Sequence, residues 1–409
     1  LASPKRILVV CQHYWPESFR ITDICDYFVE CGYEVDVLCG LPNYPKGELF
    51  PGYSWKGPYS ERHRGVRIFR APEIPRKGNT GVRIFLNYVS FPITSIFRLP
   101  ALIFNRYDRI FLYQLSPVMM SIAGIVLGRI KRVQTTMYVL DLWPENLFSV
   151  LPVGNPLARR LATAVSHWHY RQVDKMVVLS SLMKERVLEA SKLAPEKVVV
   201  LPQACEKFYE VDIVDESLAE RFSGRFNVVF TGNISPAQSF ETMIEAAELL
   251  RDRGHQEVRW IIVGDGMSRR EIESSVESRG LSDCFEFIGQ VSPEEIPAYT
   301  TIADVLVGCL VKSDLLEATI PAKVLSYVAA GRPVVLAMDG EVGELIRDSG
   351  CGRVGPAGDA QTLASNLESI LSLPESERQR MGVNARNYHF KHLERNIVLG
   401  RLTDFLFKP

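Results

Sequence analysis

With 409 residues, the chain is too long for one ordinary hydrophobic core, so two or three domains are expected. Its apolar share of 46% and charged share of 23% are those of an ordered globular protein. A formal net charge of −1 gives no support to a role in binding nucleic acid or any other bulk polyanion.

The chain opens on Lys5-Arg6-Ile-Leu-Val-Val-Cys11. This apolar run is short and turns polar at once, so it reads as a first strand and not as a signal peptide. Further strands are expected at 34–39, 66–70, 109–113, 134–140, 175–179 and 198–201. They are rich in β-branched residues, as in a parallel sheet covered on both faces. A helix from about 21 to 31, stopped by Gly32, makes the opening a βαβ unit. The pattern restarts with strands at 226–231, 259–263, 284–288, 305–309 and 333–337. Helices at 238–253, 269–279, 293–302 and 322–330 lie between them. Two such runs predict two doubly wound α/β domains. The acidic stretch 206–224 is the expected connection, and the segment from about Tyr388 is expected to be helical.

Eight cysteines, none in a C-x-x-C pair, read as buried free thiols of a reducing cytosol. The histidines show no metal-ligand spacing, and no D-x-D pair offers to hold a divalent ion, so no metal is expected. Residues 61–109 carry ten bases against Glu61, Glu73 and Asp108, a local excess of seven. Within 81–109, Phe85, Val89, Ile93 and Phe97 recur every four residues. A core helix kinked at Pro92 is the commoner explanation. The alternative is an interfacial element whose arginines meet anionic headgroups.

Residues that follow strands are the candidates for chemistry, because ligands of open parallel sheets sit at the strands' carboxyl ends. Gly232-Asn233 with Gln238, Gly264-Asp265-Gly266 and Gly289-Gln-Val291 are such loops in the second half. Each also reads as an ordinary turn or helix start. In Thr319-Ile-Pro321-Ala322-Lys323, Thr319 and Pro321 are helix-start signals. The free N–H groups near Ala322, with the Lys323 ammonium, would make a compact anion site. In the first half, the loops at Trp15-Pro-Glu17, Leu41-Pro-Asn43-Tyr44 and Asp141-Leu-Trp143-Pro-Glu145 mix aromatic faces with hydrogen-bonding groups, which suits a sugar.

Together these loops resemble the family-four glycosyltransferases over nearly the whole chain. The residues are Pro16-Glu-Ser-Phe-Arg20-Ile-Thr-Asp23, Leu41-Pro-Asn-Tyr-Pro-Lys-Gly47, Asp141-Leu-Trp-Pro-Glu145, Leu201-Pro-Gln203, Gly232-Asn233 with Ala237-Gln238, Gly264-Asp-Gly266, and Pro321-Ala-Lys323 with Tyr327 and Gly331. More narrowly they look like the bacterial N-acetyl-L-fucosamine transferases of surface polysaccharide assembly. The resemblance implies a GT-B fold, two Rossmann-like domains facing a cleft. It implies an acceptor-binding domain over 1–205, a nucleotide-sugar-binding domain over 206–387, and a helix over 388–409 returning to the first.

The implied reaction is retaining, metal-independent transfer, needing no cofactor beyond a UDP-sugar donor. The sugar would be an N-acetylated 6-deoxyhexose and the acceptor a lipid-linked glycan, as on undecaprenyl diphosphate. The site would be cytoplasmic, peripheral at the inner face of the plasma membrane, with 81–109 as the possible contact. Lys323, Pro321 and Ala322 would hold the diphosphate, Gly289 and Val291 the base, and Gly264, Asp265 and Gly266 the donor. Asp141, with Glu17 as its partner, would serve catalysis. The family carries two glutamates eight apart where this chain has Ala318 and Ser326, and a histidine where it has Leu140. Two other readings stay open: an epimerase of nucleotide sugars, which needs no acceptor, and a binding module without turnover.

Overall fold

A computed structural model describes residues 4–150, 154–205 and 207–408. Glu206, the first residue of the expected connection, lies outside them. The chain divides into two compact units, one of Leu1–Leu201 with Leu399–Pro409 and one of Pro202–Val398.

The first unit holds β1 (Arg6–Val10), β2 (Glu34–Gly40), β3 (Ser60–His63), β4 (Val66–Ala71), β5 (Arg109–Gln114), β6 (Thr135–Val139), β7 (Lys175–Val178) and β8 (Val198–Val200). They form one sheet in the order β3-β4-β2-β1-β5-β6-β7-β8. All pairs are parallel except β3 with β4. Strand β3 was not expected, because Ser-Glu-Arg-His has no apolar face. It exists because Arg64 (φ 44°) and Gly65 (φ 86°) turn the chain back in a two-residue hairpin.

The last helix, Arg395–Phe407, ends against this sheet's lower rim. Arg109 Nε donates to the Leu406 carbonyl at 2.6 Å, and Lys175 Nζ donates to Phe405 and Lys408 carbonyls at 3.1 and 2.7 Å. Two cations thus satisfy the carbonyls that a helix end leaves free. Phe407 stacks on Tyr33 with ring centroids 4.6 Å apart.

The second unit holds β9 (Phe226–Thr231), β10 (Val258–Val263), β11 (Phe285–Gly289), β12 (Val305–Cys309), β13 (Val334–Ala337) and β14 (Gly352–Gly355), all parallel, in the order β11-β10-β9-β12-β13-β14. Side chains alternate between two packed layers. Val228, Phe230, Trp260 and Ile262 enter one, while Val229, Ile261, Val263 and Leu306 enter the other. The short edge strand β14, Gly-Arg-Val-Gly, carried no such alternation and was not expected. Its Gly352 lies so close to β13 that a Cβ there would sit 1.9 Å from the Val334 carbonyl oxygen.

Two expectations are corrected. Cys31 is exposed, not buried, at the end of helix Ile21–Glu30. Residues 81–97 do not present Phe85, Ile93 and Phe97 to a core. The helix Gly81–Ile96 runs through Pro92 and buries Asn87, Tyr88, Phe91, Pro92 and Ser95, leaving those three apolar side chains exposed. Asn87 is held inside by hydrogen bonds: it donates to the Ile74 carbonyl at 2.8 Å and accepts from Gln12 and Arg76 at 3.0 and 2.8 Å. A polar residue bonded in this way can occupy the buried face.

Candidate active site

The strand order of the second unit reverses between β9 and β12, and a ligand of such a sheet sits beyond the strands' carboxyl ends at that point. Strand β9 ends at Thr231, whose N–H donates to the Tyr327 hydroxyl at 2.9 Å while that hydroxyl donates back to the Thr231 carbonyl at 3.3 Å. The strand end is thereby tied to helix Ala322–Ala330. Gly232 follows with φ 137°, and a Cβ there would approach Lys323 Nζ to 3.0 Å. Only glycine gives both the backbone and the room.

Lys323 itself is half-buried. Its ammonium lies 3.9 Å from the Phe230 ring centroid and donates to Gln238 Oε1. Burial lowers its pKa to about 7. An ammonium carries three donors, so capacity for an anion remains. Pro321 is the N-cap and leaves the first-turn N–H groups of Ala322 and Lys323 without intrahelical partners. Thr319 is not part of this cap, since its hydroxyl donates to Leu315 in the preceding turn at 3.4 Å.

The neighbouring loops lock onto one another. Gly232 N–H donates to Val263 at 2.9 Å, and Gly264 N–H donates to Gly289 at 2.8 Å. A Cβ on Gly264 (φ 143°) would stand 1.9 Å from the Gly232 carbonyl oxygen, and one on Gly266 2.5 Å from Asn233 Oδ1. Asp265 is exposed, accepts from the Gly266 N–H at 2.7 Å and faces Arg269 at 3.5 Å. Arg269 also comes within 3.2 Å of where a Cβ of Gly289 would be, so a cation stands beside two of the predicted loops. Sequence reasoning passed over it as one charge on a charged helix. Val291 packs on the unit's core, and Ser326 is buried with its hydroxyl turned back to the Ala322 carbonyl at 3.3 Å.

In the first unit the order reverses between β1 and β5. Pairing of β5 with β6 brings Ser116, just past β5, beside Asp141, just past β6. Asp141 Oδ2 accepts from Ser116 N–H at 3.1 Å and Oγ–H at 2.9 Å, and Ser116 Oγ accepts from Trp143 Nε1 at 2.9 Å. Burial raises the Asp141 pKa, opposed by the Ser116 hydrogen bonds and by Arg76. The carboxylate is therefore poised in a partly desolvated, oriented position.

Glu17 is buried and fully engaged. It accepts from Asn43 N–H at 2.9 Å, Tyr44 N–H at 2.7 Å and Tyr14 N–H at 3.2 Å, with His13 Nδ1 at 3.1 Å. It ties two loops together. Glu17→Gln is expected to destabilise the protein by about 1–3 kcal/mol, since an amide removes acceptor capacity and brings a donor toward buried N–H groups. Chemical unfolding checks this; activity loss at wild-type stability would return Glu17 to catalysis.

A second buried carboxylate, Glu73, accepts from Gln12 at 3.1 Å and from Asn43, and burial pushes its pKa up to about 7. It lies just after β4, so the rule of reading residues behind strands could have found it. Among the described residues, no group of three or more His, Cys, Asp or Glu is placed to hold a metal ion. None of the described helices is long and apolar enough to cross a membrane.

A family model described as "Glycosyl transferases group 1" matches residues 218–388, and one described as "Glycosyl transferase 4-like domain" matches residues 18–204. The chain is 25% identical to WcaI of Escherichia coli (strain K12), a candidate colanic acid biosynthesis glycosyl transferase, over 96% of this chain and 98% of that one. It is 30% identical to the alpha-D-kanosaminyltransferase of Streptomyces kanamyceticus over 66% of this chain and 67% of the relative. Among solved structures, HepE of Anabaena in complex with UDP-glucose superposes with a TM-score of 0.69 at 15% identity, covering 98% and 99% of the two chains. The loops behind β9, β10 and β12 and the matches in both halves lead to one conclusion: the chain belongs to the group 1, family-four glycosyltransferases and is an enzyme with the GT-B fold.

Proposed function

We propose that this enzyme transfers a sugar from a UDP-sugar to a lipid-linked glycan in surface polysaccharide assembly, with retention at the anomeric carbon. The observation that carries the donor assignment is the half-buried Lys323 ammonium beside Gly232 at the strand-order reversal. The likeness to WcaI supports the polysaccharide context, and the likeness to HepE, whose structure holds UDP-glucose, makes UDP the first nucleotide to try. An N-acetylated 6-deoxyhexose is the first sugar to try, and an undecaprenyl-diphosphate-linked glycan the first acceptor.

In this reading the bond from the anomeric carbon to the diphosphate oxygen breaks while the acceptor hydroxyl bonds to that carbon. The hydroxyl proton leaves with the diphosphate. Lys323 and the N–H groups of Ala322 and Lys323 stabilise the charge that develops on the leaving group. Gly264, Asp265 and Gly266 line the donor, Gly289 and Val291 the base, and Asp141 orients the acceptor sugar.

Thermal stabilisation by a panel of nucleoside diphosphates, measured beside turnover of UDP-sugars, tests the reading. Uridine diphosphate is expected to stabilise the protein selectively. Asp141→Asn should keep that stabilisation and lose transfer about a hundredfold. Stabilisation by no nucleotide would overturn the donor assignment. Product formed from donor alone, without acceptor, would favour an epimerase.

A further inference from the structure

We propose that His13 is a substrate-contacting residue whose Nε2 accepts a hydrogen bond from a hydroxyl of the acceptor glycan. That the sugar is an acceptor rests on the transferase reading, whereas the contact itself rests on the geometry of the ring. His13 stands just past β1, where the strand order of the first sheet reverses and such a sheet holds its ligand. Nδ1 lies 3.1 and 3.3 Å from the two carboxylate oxygens of Glu17. A carboxylate only accepts, so Nδ1 carries the proton and the neutral ring keeps a lone pair at Nε2. Glu17 is itself held by the N–H groups of Tyr14, Asn43 and Tyr44, which makes it the positioning residue for the imidazole.

Among the described residues nothing pairs with Nε2, and the atom is not sealed from solvent, since 4% of the side chain stays accessible. Two other histidines show what a purely structural ring does. His255 bonds through both nitrogens, to Glu257 at 3.2 Å and to Glu368 at 3.0 Å, and His169 encloses its second nitrogen completely. The surroundings of His13 suit a sugar. Phe19 stacks on the ring with centroids 5.0 Å apart, and Tyr44 stands tilted beside it at 5.5 Å, 43% exposed. An exposed aromatic ring can cover the C–H face of a pyranose while Nε2 takes one of its hydroxyls. An ionised phosphate is a poor occupant, because a bare nitrogen offers it no proton. A metal ion would need further ligands, and among the described residues no group of three or more His, Cys, Asp or Glu supplies them.

Nuclear magnetic resonance of the full chain, isotope-labelled at its histidine nitrogens and held at mildly alkaline pH, tests it. Either His13→Gln or His13→Phe removes the His13 signal and so identifies it. The probes are the methyl glycosides of glucose, galactose, N-acetylglucosamine and fucose at millimolar concentration. The spectrum should show the proton on Nδ1 and a bare Nε2, and at least one glycoside should move the Nε2 resonance more than any other histidine nitrogen. Glu17→Gln should shift the proton toward Nε2, a change that bracing of two loops alone would not produce. His13→Phe keeps the stack on Phe19. It should raise KM for the undecaprenyl-diphosphate-linked acceptor about tenfold and leave stabilisation by uridine diphosphate unchanged. A wild-type ring with the proton on Nε2 overturns the proposal. So does an Nε2 resonance that none of the glycosides moves. Glycosides that move Nε2 in a protein that uridine diphosphate does not stabilise would strike the transferase reading and leave the sugar contact standing.

Discussion

Lys323→Ala is expected to lower kcat about 10²–10³-fold, the usual loss when one preorganised charge is removed from a developing anion. The effect should also depend on pH. In the free protein burial holds the ammonium near pH 7, so it is charged below that value and increasingly neutral above it. A diphosphate binds the charged form. Affinity for uridine diphosphate should therefore fall as pH rises above 7, by up to tenfold per pH unit. Lys323→Met keeps the bulk and removes the charge, so it should show weak binding with no such slope. Titration calorimetry from pH 6 to 9 decides the matter. Wild-type affinity that ignores pH, or a Lys323→Ala enzyme within about threefold of wild type, would remove Lys323 from the diphosphate site.

Gly264→Ala is expected to be the most damaging single-methyl change in the second unit. Its φ of 143° already disfavours any side chain, and the new Cβ would stand 1.9 Å from the Gly232 carbonyl oxygen. Relief requires one of three interlocked loops to move, and that movement breaks the Gly232–Val263 or Gly264–Gly289 hydrogen bond. The cost should exceed about 3 kcal/mol, with loss of nucleotide binding. Gly254→Ala is the control. Gly254 also has positive φ, 97°, but nothing lies within 4 Å of its Cβ position, so only the backbone cost of about 1 kcal/mol should appear. Hydrogen exchange of β9, β10 and β11 separates the two. Equal effects would mean that the loop contact carries no weight.

The parts of the fold legible in the sequence are those whose physics is local. Strands such as 226–231 show themselves because both faces are buried and each residue is apolar or β-branched. Strand β3 does not, because its pairing comes from the Arg64-Gly65 turn and its own residues are polar. The stripe Phe85-Val89-Ile93-Phe97 shows where periodicity stops informing. It identifies one side of a helix, but not whether that side meets a core or the outside. The buried side contains Asn87, which hydropathy counts as exposed and which its bonds to Gln12, Ile74 and Arg76 make tolerable.

The candidate site divides in the same way. Gly232, Gly264 and Lys323 could be found from their places behind strands. Arg76 and Arg269 could not, since each gains meaning from a neighbour remote in sequence, and Ser116, though it lies behind β5, shows its role only beside Asp141. The loop of Glu17 suggests a chemical group, and only the folded chain shows the three N–H partners through which it also braces two loops.

The grip of Arg109 and Lys175 on the carbonyls of Phe405, Leu406 and Lys408 has a temporal consequence. During synthesis the first sheet emerges early, but the segment that covers its lower rim is translated after the whole second unit. Until then Tyr33 lacks its stacking partner, and two cations face water instead of a helix end. The second unit, Pro202–Val398, is contiguous and can complete itself while the first still waits. The ribosome thus supplies what completes the earlier half of this enzyme only after it has made the later one.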